Sequence, residues 1–236
     1  MGDPVDGEEE KMTVLYESSL FAIVLTLGAY EIGRIIQKKT KWTVANPLLI
    51  AIVLIVVVLK ALQIDNAKYQ ENVSLISFFL TPATVCLAIP LYRQVQILKK
   101  SLVGILVGIL AGTLASFASV YAICKLFSLT DTMTVSLLPK SITTAMGIVL
   151  SEQAGGFVAL TAIVIVITGI LGNMFGEIMA KIFHITDPVA KGVAYGTASH
   201  VVGTTKAAQL DELMGAVSSL SLVVAGIITA VIFCFV

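Results

Sequence analysis

Two segments in the C-terminal half of the chain carry the side chains best suited to bind a small anion. In the first, Lys140, Thr144, Gly147 and Ser151 are separated by four, three and four residues. On a helix this spacing would place them on one face, because residues three and four apart lie above one another. Such a face would be cationic at one end and small and polar along its length.

The second segment, Tyr195–Lys206, is also small and polar, and apolar blocks flank it on both sides. Gly196, Ser199, His200 and Gly203 would share a helical face, with Thr204 one turn beyond the histidine. His200 is either a ligand or proton-handling group or a structural histidine. Polar segments at membrane depth are tolerated only inside protein or along a cavity, so this segment predicts a buried polar site.

The charged side chains in and beside these segments have two interpretations each. A lone lysine at the centre of a membrane helix costs about 2.5–3.5 kcal/mol, so Lys140 and Lys206 either face a substrate or extend to the interface. Glu152 is either solvated in a loop or involved in ion coupling. Glu177 and Lys181 are four residues apart in the favourable order, which predicts an interfacial ion pair.

Hydroxyl side chains are concentrated in three interrupted apolar segments. They supply hydrogen-bond donors without charge, and helix N-termini freed by chain breaks add partial positive charge that suits carboxylates or phosphates. For any single residue the alternative is a bond back to a carbonyl of its own helix. The hydroxyl residues concerned are Thr81, Thr84, Ser141, Thr143, Thr144, Ser199, Thr204 and Thr205.

Sequence signatures of other function classes are missing. The chain contains no GxSxG, GxxxxGK[ST], GxGxxG or HExxH motif, so we predict that it is not an enzyme and uses no cofactor. The three cysteines are far apart in apolar surroundings, which argues against a disulfide or a metal site. The net charge is zero, which gives no argument for nucleic acid.

The composition indicates that the bilayer is the solvent of this chain. Charged residues make up 13% and hydrophobic residues 57%, with a mean hydropathy of +0.98, whereas soluble domains carry about 25% charged residues. We predict an all-α polytopic membrane protein of about seven to eight transmembrane segments after an acidic, flexible tail at 1–12. The uninterrupted apolar blocks are 13–36, 43–63, 101–127, 157–183 and 213–235, and the interrupted ones are 73–98, 131–153 and 189–210.

Basic clusters follow residues 13–36 and 73–98 and are predicted to face the cytoplasm, which puts the N-terminus outside. Segment 131–153 either crosses the membrane or enters and returns. If it returns, Lys181 lies inside and the Asp211–Glu212 pair lies outside, which fits the charge rule better.

That arrangement would make residues 43–127 and 157–236 inverted repeats. Each repeat has a discontinuous middle element, 73–98 in the first and 189–210 in the second. Inverted repeats whose broken helices meet near the midplane are a recurrent transporter plan.

Five motifs occur in an order that resembles the LrgB/CidB family over nearly the whole chain after the acidic tail. They are Thr81–Tyr92, Leu138–Thr144, Ser151–Gly156, Asp187–Gly192 and Gly196–Thr204. The chain departs from many relatives at Ala145, where they have proline, and at Lys206, where they have arginine. The motif residues that the resemblance assigns to substrate binding are Thr81, Pro82, Thr84, Lys140, Ser141, Thr143, Thr144, Ser199, His200, Gly203 and Thr204, with His200 and Glu152 as candidates for proton coupling.

The resemblance implies a bacterial inner-membrane protein described as antiholin-like or holin-like, linked to control of murein hydrolase activity and cell lysis. It also implies a small membrane partner of the LrgA/CidA type. Relatives include the plastid glycolate/glycerate translocator, and bacterial members are tied to pyruvate.

Three functional hypotheses follow. The first is a transporter or facilitator of small monocarboxylates that works by alternating access, and the interrupted polar segments favour it. The second is an oligomeric holin-like pore, or a regulator of one, without a specific substrate. The third is a purely structural partner for an LrgA-type protein. We expect a homo-oligomer, dimeric or larger.

Overall fold

The computed structural model describes residues 18–40, 46–86 and 88–235. Every regular element within these ranges is a helix, which confirms the predicted all-α class. The helices are α1 (Ser19–Thr40), α2 (Pro47–Ala61), α3 (Asn66–Asn72), α4 (Ser74–Phe78), α5 (Leu80–Cys86), α6 (Ala88–Arg93), α7 (Val95–Leu126), α8 (Asp131–Leu137), α9 (Thr144–Gln153), α10 (Val158–Ile182), α11 (Pro188–Leu210) and α12 (Glu212–Phe233). The chain divides into two compact units, Met1–Val85 and Cys86–Val236, each described by itself.

Four helices are long and apolar enough to cross a bilayer: α1, α7, α10 and α12, with 22 to 32 residues each. A crossing helix needs about 20 residues. Helix α2 is apolar but has only 15 residues. These helices confirm a multi-pass membrane protein.

In the first unit, α1 packs against α2 and α3. Gly33 allows the close approach, because a Cβ there would lie 2.6 Å from the carbonyl oxygen of Pro47. The hydroxyls of Thr26 and Tyr69 are 2.6 Å apart and join α1 to α3. Helix α2 starts at Pro47 because the Asn46 side chain caps it, and proline suits a first helical position.

The long helices of the second unit run in defined directions. Helices α7 and α12 are parallel, since Arg93 just before α7 pairs with Glu212 at 3.6 Å, while the rings of Phe117 and Phe233 meet further along, 6.0 Å apart. Helix α10 runs the opposite way. It starts near α8, which follows the end of α7, and it ends near the start of α11.

These directions give the second unit two faces. One face carries a set of basic residues and is called the Lys-rich face below; its members are Arg93, Lys99, Lys100, Lys181 and Lys191. The other, called the opposite face, carries the start of α8, the end of α9 and the start of α10. Its only basic residue in the described part of this unit is Lys125.

Residues 131–153 enter from the opposite face and return to it; they are called hairpin 1. Both arms contact the start of α10, since Thr161 Oγ1 lies 2.7 Å from Ser151 Oγ on α9 and 2.9 Å from the Ser136 carbonyl oxygen on α8. Proline cannot continue a hydrogen-bonded helix, and Pro139 lies in the turn between α8 and α9. The Thr143 side chain then caps α9. The segment is therefore folded as a hairpin, and its re-entry into the membrane stays a prediction.

Residues 188–210 enter from the Lys-rich face and also fold back; they are called hairpin 2. The backbone of α11 leaves the helical conformation at His200. A Cβ on Gly203 would lie 2.8 Å from the carbonyl oxygen of Tyr195, eight residues earlier, whereas these positions are about 12 Å apart along a continuous helix. Lys206 accordingly pairs with Glu177 near the end of α10, 3.1 Å away.

Hairpin 2 corrects two sequence predictions. Glu212 lies with Arg93 on the Lys-rich face, so the expectation that Asp211 and Glu212 face the other side from Lys181 is wrong. The predicted Glu177–Lys181 pair is also replaced by Glu177–Lys206. Both errors arise because the sequence pattern does not reveal that the chain reverses at His200.

Within the second unit a long helix followed by a hairpin occurs twice, in opposite directions. Helix α7 precedes hairpin 1, and α10 precedes hairpin 2. The inversion predicted between residues 43–127 and 157–236 involves both units and stays a prediction. The interrupted segment 73–98 is divided into α4, α5 and α6 before α7 begins.

Candidate functional site

The turn of hairpin 2 is formed by a buried histidine in an unusual backbone conformation. His200 has φ 43° and ψ −137°, and its side chain is only 3% exposed. A non-glycine residue in this region carries about 1–3 kcal/mol of strain and persists only where its surroundings enforce it. The turn frees carbonyls at the end of the first arm and amides at the start of the second.

A hydrogen bond to α10 and a glycine on α10 hold the imidazole in place. His200 Nε2 lies 2.8 Å from the carbonyl oxygen of Ile165. A carbonyl only accepts, so Nε2 donates, and Nδ1 is left for another partner. A Cβ on Gly169 would lie 2.5 Å from the imidazole ring. The glycine is therefore required for the ring to reach this position.

The second arm of hairpin 2 is tied to α12 through hydroxyls. Thr204 Oγ1 lies 2.8 Å from the carbonyl oxygen of His200 and 2.9 Å from Ser218 Oγ. Both hydroxyls are fully buried. The carbonyl at the helix break thus has a hydrogen-bond partner, as a buried backbone group must. Thr204 is therefore part of the framework that stabilises the turn.

Ser199 and Gly203 lie beside the turn in close contact. Ser199 is 3% exposed, and its side chain packs directly against Gly172 on α10. A Cβ on Gly203 would lie 2.5 Å from that of Ser199, so glycine permits the two arms to approach. Ser199 also lines a cavity of about 210 Å³ that extends along the first arm.

The turn of hairpin 1 presents a lysine. Lys140 Nζ donates to Ser141 Oγ at 3.1 Å, and Ser141 Oγ lies 3.2 Å from Ser116 Oγ on α7. Lys140 lies before the first residue of α9, so it does not share a helical face with Thr144, Gly147 and Ser151. The prediction that placed all four on one face is therefore wrong for the lysine. In the described part of the chain this ammonium has no carboxylate partner.

Ile165 on α10 contacts both hairpins. Its carbonyl accepts from His200, and its side chain meets the position that a Cβ on Gly147 would occupy. Pro139, the residue before Lys140, lies at the same place, since its carbonyl oxygen would be 3.5 Å from a Cβ on Gly147. Two turns that enter from opposite faces therefore bring an ammonium, an imidazole and hydroxyls into one region of the interior.

The remaining predicted residues of hairpin 1 have different roles. Thr143 accepts from the Met146 amide at 3.4 Å as the cap of α9. Thr144 is the first residue of α9 and is partly exposed. Ser151 is fully buried against Thr161, where it joins the arms to α10. Glu152 is exposed at the end of α9.

Thr81, Pro82 and Thr84 all lie on α5, in the first unit. The other predicted site residues lie in the second unit, so a shared site for both sets stays a prediction. Pro82 is exposed.

Sequence reasoning missed several residues that shape the site. Ser116, Thr161 and Ser218 are single hydroxyls in strongly apolar helices, where no local pattern distinguishes them. Tyr195 was seen only as the start of a polar segment. Among the described residues, no cluster of histidine, cysteine or carboxylate side chains could hold a metal ion.

Comparison with known proteins identifies the family. The model of the LrgB-like family matches residues 26–236. The chain belongs to the LrgB-like family. It is 37% identical over 213 residues to the antiholin-like protein LrgB of Bacillus mycoides (strain KBAB4), which covers 90% of this chain and 93% of that protein.

The antiholin-like protein LrgB of Bacillus cereus (strain B4264) is 36% identical with the same coverage. That of Bacillus anthracis (strain CDC 684 / NRRL 3495) is also 36% identical over the same lengths. No solved structure matches the chain. The resemblance predicted from the motifs is therefore confirmed, and the LrgB-like family is not a known enzyme family.

Proposed function

We propose that this LrgB-like protein is a transporter or facilitator of small monocarboxylates, such as pyruvate, glycolate or glycerate. The observation that carries the proposal is the meeting of two oppositely directed hairpins at Ile165, with Lys140 in one turn and His200 in the other. A partly buried ammonium without a carboxylate partner in the described residues favours an anionic ligand, because an unpaired charge at membrane depth is costly.

The chemistry of the two turns suits a carboxylate of small size. Lys140 supplies a charge-assisted hydrogen bond, which is stronger than a neutral one. Ser141 and Ser199 supply hydroxyls, and a helix start after the break at His200 would add partial positive charge. His200 would orient the ligand or carry a proton with it, and Glu152 is the second candidate for proton coupling.

The arrangement of the hairpins also suits alternating access. Hairpin 1 closes the region from the opposite face, and hairpin 2 closes it from the Lys-rich face. Movement of either hairpin would open the same site to one side at a time, as in transporters built from inverted elements around a fixed site. The contribution of Thr81, Pro82 and Thr84 on α5, including any role in substrate binding, belongs to this proposal.

We place the protein in the bacterial inner membrane with its Lys-rich face in the cytoplasm, because basic residues favour that side. The N-terminus would then be extracytoplasmic. Transport would be linked to control of murein hydrolase activity and cell lysis, together with a small membrane partner of the LrgA/CidA type. We propose a homo-oligomer, dimeric or larger, and no catalytic activity.

The alternative is an oligomeric holin-like or antiholin-like pore, or a regulator of one, without a specific substrate. The names of the relatives favour it, since these proteins are described as antiholin-like. A pore would conduct without saturation, whereas a carrier saturates and is inhibited by competing substrates.

The test is uptake of labelled pyruvate into proteoliposomes that contain the full-length protein. We expect saturable uptake that unlabelled glycolate and glycerate inhibit. Lys140→Ala and His200→Ala should lower the apparent affinity or the rate by about 10- to 100-fold, since a hydrogen bond to a charged group contributes about 1.5–3 kcal/mol.

Lys125→Ala is the matched control, because it removes a lysine that pairs with Asp131 outside the two turns. All variants must elute as the wild type does on size exclusion. Flux that rises linearly with concentration and is unaffected by the Lys140 and His200 variants would support the pore and contradict the carrier.

A further inference from the structure

A second polar feature lies on the Lys-rich face, along the first arm of hairpin 2. Tyr195 on the first arm of hairpin 2 is only 4% exposed, and its hydroxyl has no hydrogen-bond partner among the described residues. A buried hydroxyl left without a hydrogen-bond partner is unfavourable. Buried polar groups are nearly always hydrogen-bonded, so a bound group that supplies the missing partner would account for this one.

Tyr195 lines two adjoining cavities. One, of about 520 Å³, lies at the Lys-rich face and is lined by Lys181, His184 and Lys191. The other is the cavity of about 210 Å³ along the first arm. Lys191 and Tyr195 line both cavities. A single ligand that occupies both cavities would therefore lie against the Tyr195 side chain.

The outer cavity carries excess positive charge. Lys181 and Lys191 form no ion pair within the described ranges. Glu177 also lines this cavity, but its carboxylate is engaged with Lys206 at 3.1 Å. His184 is exposed and adds a further hydrogen-bonding group. The cavity therefore suits an anionic group larger than a single small ion.

The inner cavity is apolar. Beyond Tyr195 and Ser199 its walls are mainly aliphatic and aromatic side chains of α10 and hairpin 2, among them Phe175 and Met179, which are 39% and 42% exposed. Apolar walls of this kind stabilise a hydrocarbon chain by removing its surface from water. A small hydrophilic anion would gain nothing from them.

We propose that this pair of cavities binds one anionic phospholipid. Its phosphate would lie among Lys181, His184 and Lys191, an acyl chain would follow the inner cavity between α10 and hairpin 2, and the Tyr195 hydroxyl would donate to a phosphate or ester oxygen. The charge of the outer cavity is complementary to this headgroup, and basic pockets between membrane helices on the cytoplasmic side recognise such lipids. The site does not depend on the transport proposal.

The test measures binding of phosphatidylglycerol to the full-length protein by native mass spectrometry in detergent, with phosphatidylcholine as the uncharged comparison. Wild type should retain one phosphatidylglycerol in preference to phosphatidylcholine. Lys181→Gln, Lys191→Gln and Tyr195→Phe should each weaken its binding about fivefold, since one surface cation or one hydrogen bond contributes about 1 kcal/mol.

The matched controls lie on α7. Lys125→Gln removes a lysine outside the cavities, and Tyr121→Phe removes the hydroxyl of an exposed tyrosine; neither should alter retention. Equal losses in these controls would mean nonspecific attraction and would overturn the proposal.

Two further outcomes would also overturn it. One is unchanged phosphatidylglycerol binding in Tyr195→Phe. The other is displacement of the lipid by equimolar inorganic phosphate or pyruvate, which would indicate a small-anion site instead. If Tyr195→Phe does not fold, Lys181→Gln, an exposed position, still decides the question.

Discussion

The backbone of hairpin 2, in the second unit, reverses its direction at His200. Its φ of 43° would be relaxed by glycine, which populates positive φ without strain. At the same position alanine keeps the strain and also lacks the imidazole. Comparison of these two substitutions therefore separates the effect of backbone strain on stability from the effect of losing the imidazole.

We predict that His200→Gly unfolds at a higher temperature than His200→Ala, by the equivalent of about 1 kcal/mol. Both variants should lose pyruvate uptake, because both lack the imidazole. Thermal unfolding in detergent measures the difference. An alanine variant as stable as the glycine variant would mean that the helix is continuous at residue 200.

A second residue-scale prediction concerns the hydroxyl that joins hairpin 1 to α10. Thr161→Val should lower the free energy of unfolding by about 1–3 kcal/mol, because it leaves the Ser136 carbonyl and the Ser151 hydroxyl without their partner. Thr205→Val is the control, since Thr205 is exposed and bonds only to Val201 of its own helix. Equal stability of the two variants would contradict this role.

At the scale of elements, the packing of α10 against hairpin 2 depends on glycines. Gly169, Gly172 and Gly176 lie on the side of α10 that receives His200, Ser199 and Tyr195. Small residues spaced three and four apart on a helix are typical of close helix packing in lipid. This spacing does not show that the partner is a hairpin.

We predict that Gly172→Ala destabilises the protein by about 1–3 kcal/mol through overpacking against Ser199. Gly104→Ala on α7 should be neutral or stabilising, because nothing lies within 4 Å of an added Cβ and alanine has the higher helix propensity. Thermal unfolding of both variants tests this. A neutral Gly172→Ala would show that the hairpin does not approach α10 so closely.

The elements that the sequence predicts well are those set by local chemistry. Pro139 and the cap at Thr143 mark the turn of hairpin 1, and Asp187 with Pro188 marks the start of α11. The reversal at His200 has no such signal, because histidine is not a typical turn residue and the conformation is imposed by contacts with Ile165 and Gly169. For the same reason the pairing of Lys206 with Glu177 could not be read from spacing along one helix.

At the scale of the whole molecule, the re-entrant hairpin fixes which residues share a side of the membrane. Both ends of hairpin 2 and the end of α10 lie on the Lys-rich face, so residues 181 and 209 should be accessible from one side. The end of hairpin 1 should be accessible from the other. A crossing segment at 188–210 would separate residues 181 and 209.

We therefore predict that Lys181→Cys and Gln209→Cys, in a background without Cys86, Cys124 and Cys234, react with an impermeant thiol reagent only in inside-out vesicles. Gln153→Cys, at the end of α9, should react only in intact spheroplasts. Labelling of residues 181 and 209 from different sides would contradict the fold-back.

The central claim is that the turns of the two hairpins form a sheltered site, reached by water, that binds small carboxylates. The test introduces Thr144→Cys in the same cysteine-free background, because Thr144 is partly exposed at the start of α9. The control is Val103→Cys in that background. Val103 is 77% exposed on an apolar helix. We expect a hydrophilic thiol reagent to modify residue 144 in the membrane-embedded protein, pyruvate to slow that modification, and residue 103 to stay unmodified. Modification of residue 144 that pyruvate does not slow, or no modification at all, would contradict the claim.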